Sequence, residues 1–299
     1  MKRRDLAMLL ALAALWGGSF VFIRVASPAL GPVWVAEARV TIAFVTLLLY
    51  ALASARVPDL RARWKGYLIV GIINSALPFA LYCFAELYIS ATTAAILNAT
   101  SPLFGAAFAA AFLGELLNPR KLLGMLIGLS GVVVVVGWQS GPMQAHSLLA
   151  ALACLAAALC YGLAGVYAKL RMAGTTPFAI ALYSQLGAAL FLLPGVALSP
   201  LPTIPDFVIA ANVAALGVLG TAVAFLLYFR LIDNVGPTKA LTVTYLIPVF
   251  GALWSSLFLH EALTPEKIVG CLIVLAGTAM TVLAPTRTGQ RLVPVPRET

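Results

Sequence analysis

The chain has 299 residues, 62% of them hydrophobic and 10% charged, with a mean hydropathy of +1.03. A soluble domain carries about 25% charged residues, so no soluble fold could cover this much apolar surface. The net charge of +9 does not mark a nucleic-acid binder. The basic residues sit in short connectors beside apolar runs, where topology signals and lipid-headgroup contacts belong.

Ten apolar runs are long enough to cross a bilayer, at about 6–25, 33–54, 67–86, 91–113, 121–138, 147–168, 178–198, 208–229, 239–259 and 267–284. All must be helices, because backbone groups in lipid have no water to bond. The start, Met-Lys-Arg-Arg before Leu6–Leu15, has the form of a signal peptide. Its apolar run continues to Ala26 and more spans follow, so it reads as an uncleaved first helix.

Polar side chains are scattered along these runs. Span 1 carries Trp16 near its middle and ends near Arg24. Span 2 carries Glu37 and Arg39, two residues apart and so on different helix faces. Span 3 carries Asn74, Ser75, Pro78 and Tyr82, with Glu86 at its end. Span 4 carries Asn98 and Ser101 ahead of Pro102. Asn118-Pro119 and Thr264-Pro265 are N-cap and first-turn signals for spans 5 and 10. Tyr161 lies in span 6, Gln185 in span 7 and Tyr228 near the end of span 8. Thr244, Tyr245 and Pro248 lie in span 9. Trp34, Trp64 and Trp138 suit an interfacial belt, and the same reading competes for Tyr228. The tail 286–299 is polar and is expected to be disordered.

Cys83, Cys154, Cys160 and Cys271 fall inside apolar runs without CxxC spacing, which favours buried apolar cysteine. No cofactor or metal is expected. His146 and His260 are the chain's only histidines, and no acid pair sits at a ligand spacing.

The chain repeats itself at an offset of 146 residues. From Ala94 to Gly131, 16 of 38 positions are identical to their partners, among them Pro102/Pro248, Gly105/Gly251, Glu115/Glu261, Pro119/Pro265 and Gly124/Gly270. An offset of 145 aligns Trp16 with Tyr161, Arg24 with Lys169 and Pro32 with Pro177. At 146, Tyr82 aligns with Tyr228. Spans 1–5 therefore repeat as spans 6–10, giving units 1–140 and 141–285. An odd number of spans per unit turns the second upside down. The expected fold is an all-α membrane protein of ten transmembrane helices in two inverted five-helix repeats. With the N-terminus in the cytoplasm, 16 of the 19 lysines and arginines fall on the inner side, so both termini are expected to be cytoplasmic.

Inverted repeats are the architecture of alternating-access transporters, with the substrate near the midplane. Trp16-Gly-Gly-Ser-Phe-Val-Phe-Ile-Arg24, G-E-x-L-N-P with its copy H-E-A-L-T-P, P-x-F-G in both repeats and the glycine-spaced spans 5 and 10 resemble the drug/metabolite transporter superfamily, in its ten-span EamA-type branch. The resemblance covers residues 5–285. It implies an exporter of small metabolites, often amino acids, in the bacterial inner membrane, and within the branch it points towards aromatic amino-acid exporters.

Residue chemistry narrows the candidates. Trp16, Asn74, Pro78, Tyr82, Asn98, Ser101, Tyr161, Tyr228, Thr244 and Tyr245 are the expected substrate contacts. A ring with a polar tip suits an amphipathic solute. Serine and threonine have the competing option of bonding their own backbone or a neighbouring helix. Pro102 and Pro248 are expected hinges, since mid-span proline frees a carbonyl, and packing kinks are the alternative. Glu37 and Arg39 are candidates for charge coupling, or for salt-bridging a neighbouring span. Glu115 and Glu261 are expected to bond backbone at their own tight turns. The glycines of spans 5 and 10 supply close-packing faces and leave room for a homodimer contact. An intramembrane lipid-modifying enzyme would need grouped acids or a nucleophile with its base, which the chain lacks. A structural subunit would leave the midplane polar groups unexplained. Nucleotide sugars would want more fixed basic groups. The expected partners are a small amphipathic solute and the lipid bilayer.

Overall fold

The computed structural model describes residues 2–55, 57–137, 145–199 and 204–284. Arg56, Trp138, the boundary between units at 140 and the tail 286–299 lie outside the described residues. The described chain is all helix apart from its connectors. In order, the membrane-spanning elements are α1 (Arg3–Leu30), α2 (Pro32–Ala53), α3 (Trp64–Ala85), α4 (Ala91–Leu113), α5 (Pro119–Gly137), α6 (Ala145–Arg171), α7 (Pro177–Leu198), α8 (Phe207–Val235), α9 (Val243–Leu259) and α10 (Pro265–Val282). Nine are at least 18 residues long and apolar. The tenth, α9, has 17 residues and follows a short helical turn, Pro237–Ala240.

Helix ends follow local chemistry. Gly31, at φ +83°, lets α1 turn directly into Pro32 of α2. Ser90, Thr176 and Asp206 cap α4, α7 and α8 by accepting a backbone N–H three residues on. Asn118 caps α5, its Oδ1 accepting from Lys121 N at 2.8 Å. The matching expectation for Thr264 fails: its hydroxyl makes no cap bond and is buried without a partner among the described residues.

Helix contacts come in pairs related by the internal repeat. A Cβ on Gly17 (α1) would lie 2.7 Å from Gly251 N (α9). A Cβ on Gly162 (α6) would lie 2.6 Å from Gly105 N (α4). Gly17 aligns with Gly162, and Gly105 with Gly251, so these are two copies of one crossing. Likewise Gly71 (α3) meets Ser184 O of α7, while its counterpart Gly217 (α8) meets Ile42 and Arg39 O of α2.

The glycines of α5 and α10 face each other. A Cβ on Gly277 would sit 2.2 Å from Gly128 N, and one on Gly131 would sit 2.7 Å from Val274 N. This seam lies within one chain, so these faces are not left free for a dimer.

Both repeats also carry a π-helical turn at the same place, Ile72–Ala76 in α3 and Val218–Val223 in α8. Such bulges widen a helix by one residue and collect at functional sites.

The buried core is uneven. In the half of the bundle away from the termini, one cluster takes residues from all ten spans, from Phe20 and Ile23 of α1 to Val274 of α10. Towards the face that bears the termini, the core divides. One cluster joins α2, α3, α7 and Ala222 of α8 around Leu47, Tyr67 and Leu182. Another joins α1, α8 and α9 around Leu12, Leu231 and Val243.

Candidate functional site

An aromatic run crosses the middle of the bundle. The Trp16 and Tyr228 rings lie 5.3 Å apart, centroid to centroid. One turn along α1, Phe20 meets Tyr82 edge-on at 5.5 Å. Tyr82 stacks on Tyr161 at 6.3 Å with 22° between the rings. The Tyr82 hydroxyl donates to Asn98 Oδ1 at 3.0 Å, one turn before Pro102. Trp16 aligns with Tyr161 and Tyr82 with Tyr228. The Trp16–Tyr228 and Tyr161–Tyr82 contacts are therefore one interaction, made twice by the repeat.

Five expected contacts, Trp16, Tyr82, Asn98, Tyr161 and Tyr228, thus come together. Tyr228 is not an interfacial belt residue; it packs inward on Trp16. Phe20, which meets Tyr82 and shares a face of α1 with Trp16, escaped the sequence reading. It sits at i+4 from Trp16, the spacing that puts two side chains on one helix face.

The other candidates divide. Asn74 is half-buried within the π turn of α3, and Pro78 follows that turn at the start of regular helix. Ser101 and Thr244 spend their hydroxyl protons on their own backbone, bonding Asn98 O at 2.7 Å and Leu241 O at 2.8 Å. Tyr245 keeps a buried hydroxyl without a partner among the described residues. Pro102 directly follows a break in α4 at Ala99–Thr100, as a hinge would. Pro248 does not mark a break: it lies inside continuous α9, whose break comes earlier, at Leu241–Thr242.

The intramembrane charges are buried but unpaired with each other. Arg39 is 6% exposed; its Nε donates to Thr221 Oγ1 at 2.8 Å, and its guanidinium lies 3.5 Å from the centre of the Phe79 ring. Such a cation–π contact is favourable when desolvated. Glu37 accepts from Thr41 Oγ1 at 2.8 Å, while its other oxygen lacks a partner among the described residues. Neither forms the expected salt bridge among the described residues.

Thr221 belongs to the π turn of α8. In the π turn of α3, Ser75 accepts from Gln185 Nε2 at 2.9 Å. Ser75 and Thr221 lie 146 apart, so each π turn anchors its helix to its neighbour, by an amide in one repeat and a guanidinium in the other. The same offset would have found Thr221.

Glu115 and Glu261 also depart from expectation. Glu115 pairs with Lys121 at 3.3 Å and Lys169 at 3.6 Å. Glu261 reaches across to α4, accepting from Ala91 N, Thr92 N and Thr92 Oγ1 at 2.8–3.1 Å. Neither bonds the backbone of its own turn among the described residues. A helix N-terminus offers free N–H donors and a positive dipole end, so it attracts a carboxylate.

A polytopic helical membrane protein of two inverted halves, with repeated aromatic pairs and π turns at its middle, has the build of a transporter rather than an enzyme. Residues 4–137 and 148–283 each match the EamA-like transporter family, and the chain belongs to that family. It is similar to an uncharacterized transporter of Bacillus subtilis, YvbV, at 25% identity over 93% of this chain and 92% of that one. A protein of Streptantibioticus cattleyicolor named "Probable terminal-alkyne amino-acid exporter" is 26% identical, over 89% of each chain. An uncharacterized inner membrane transporter of Escherichia coli, YedA, is 28% identical over 82% of this chain and 79% of that one. A crystal structure at 22% identity shares the fold, with a TM-score of 0.67, covering 94% of this chain and 96% of the other.

Proposed function

We propose that this transporter exports small neutral amino acids, aromatic or bulky ones foremost, across the bacterial inner membrane by alternating access. The aromatic run carries the reading. Trp16, Tyr82, Tyr161 and Tyr228, with Phe20 against Tyr82, offer ring faces to an apolar side chain, while the Tyr82–Asn98 pair offers donors and acceptors to a polar head. The named exporter from Streptantibioticus cattleyicolor supports an amino-acid class. The basic connectors support cytoplasmic termini.

The core supports the mechanism. One cluster joins all ten spans away from the termini, whereas two separate clusters hold the other half. That is the packing of a state closed at one face and divided at the other. The break in α4 before Pro102 is the proposed hinge, and Pro248 is assigned a bend. The units 1–140 and 141–285 would rock against each other about the repeated glycine crossings.

The test is uptake into liposomes that contain only this protein, with labelled aromatic and aliphatic amino acids. Saturable uptake competed by aromatic amino acids is expected. Uptake of aliphatic ones alone would overturn the aromatic assignment, and no uptake of any amino acid would overturn the substrate class.

A further inference from the structure

Glu86 is a buried acid that the aromatic site does not use. It follows the last residue of α3, at the face opposite the termini. Its side chain is wholly buried, and among the described residues neither carboxylate oxygen has a hydrogen-bond partner. Arg24 Nη1 donates to the Glu86 backbone carbonyl rather than to its carboxylate. The charged groups around it are Glu261 from the α9–α10 turn, Arg24 from α1 and Arg39 from α2. Cys154 of α6 and Tyr82 and Cys83 of α3 complete its titratable neighbours, and His146 stacks on Tyr88 two residues further on.

Neither arginine donates to its carboxylate among the described residues. Arg39 is committed to Thr221 and Phe79, and Glu261 to the N-terminus of α4. Glu261 also brings a second negative charge. A carboxylate shut away from water, without donors and beside another acid, is costly when ionised, and a bound proton removes that cost. Opening this face would bring water to the group and reverse the balance. The repeat sharpens the point: the position 146 residues on is Ile232, so the acid belongs to one face only.

We infer that Glu86 holds a proton while the face opposite the termini is closed and gives it up to water when that face opens, so that it couples transport to a proton gradient. The coupling half of this rests on the proposed transport function. The proton-holding half does not.

Two measurements on the full-length protein separate them. The first needs no substrate. At neutral pH the wild type should show the infrared carbonyl band of a protonated carboxylic acid, and Glu86→Gln should lose it while eluting as the same monodisperse species. A band absent from the wild type, or unchanged in the variant, overturns the inference. The second uses liposomes. One proton per cycle and a pH gradient of one unit sustain about a tenfold accumulation of labelled amino acid. Glu86→Gln should abolish that accumulation yet keep gradient-free exchange, while Glu266→Gln, in the first turn of α10, should retain it. Accumulation surviving in Glu86→Gln, or a wild type indifferent to the gradient, overturns the coupling. If no amino acid is transported, the substrate reading fails and the infrared band still decides the state of Glu86.

Discussion

The turns after α4 and α9 share one backbone and serve different ends. In the first, Gly114 N and Glu115 N both donate to Ala109 O. In the second, His260 N and Glu261 N both donate to Ser255 O. All three pairs lie 146 residues apart. Yet Glu115 meets two lysines at the face bearing the termini, whereas Glu261 caps α4 at the opposite face. Gene duplication copied the turn; the two faces then used it differently. The cap ties the second repeat to the first at the face opposite the termini. The lysine pairs at the other face tie α4 to α5 and α6 within and across the repeats, and Lys169 there is 66% exposed. The lesson is that backbone geometry is inherited by both copies, while the partners of the copied glutamates are not.

The largest expected break in that symmetry is at the α5–α10 seam. Gly277→Val would force a Cβ to within 2.2 Å of Gly128 N, and backbone cannot yield as a flexible side chain can. Overpacking of this kind costs about 3 kcal/mol or more. We expect loss of the monodisperse peak in size-exclusion chromatography. Gly165→Val, on α6 with nothing within 4 Å of its Cβ position, should elute as wild type.

Next is the pair of glutamate turns. Glu261→Gln keeps the shape but loses the charge at the α4 N-terminus and one of the acceptor oxygens. Loss of hydrogen bonds to a charged group is expected to cost about 1.5–3 kcal/mol. Lys169→Ala removes an exposed partner of Glu115 and should cost no more than about 1 kcal/mol. Thermal unfolding of both variants checks the order. Equal shifts would mean that the two faces are equally latched in the unliganded protein.

The two π turns give a smaller contrast. Arg39→Lys loses the Nε bond to Thr221 and the flat stacking on Phe79, with a charge left in the core. About 1.5–3 kcal/mol is expected, against about 0.5–1.5 kcal/mol for the neutral Gln185–Ser75 link probed by Ser75→Ala. Melting temperatures in detergent would read both. A larger effect at Ser75 would make the guanidinium link dispensable.

Much of the fold was legible because apolar length and a fixed offset are linear properties of the sequence. The ten runs, the repeat and the aromatic pairs Trp16/Tyr161 and Tyr82/Tyr228 could be read from spacing. Their meeting could not, since the offset names equivalent residues without saying which ones touch. The π turns were illegible because one added residue per turn leaves apolar periodicity almost unchanged. Glu86 looked like an ordinary span-end acid because burial there depends on α1, α2, α6 and the distant Glu261 turn. Pro102 and Pro248 looked equivalent because the proline is copied. The break in α9 falls at Leu241–Thr242, six to seven residues before the proline, so the copied residue is separated from the copied break.

The smallest test returns to the same two turns. Both end their helix with a residue in the left-handed region, Gly114 at φ +67° and His260 at φ +54°. Glycine adopts that conformation freely, whereas an L side chain is strained there by about 1–2 kcal/mol. The His260 side chain is exposed, and no hydrogen bond or ring contact to it among the described residues offsets the strain. Glycine in its place would release the strain but also give the unfolded chain more freedom, which takes back about 0.5–1 kcal/mol. His260→Gly should therefore stabilise by only about 0.5–1 kcal/mol, while Gly114→Ala should destabilise by about 1 kcal/mol. The signs are opposite although the positions are equivalent. A lower melting temperature for His260→Gly would show that the imidazole contributes more at the face opposite the termini than its exposure implies, and that the second turn has diverged in its side chain as well as in its partner.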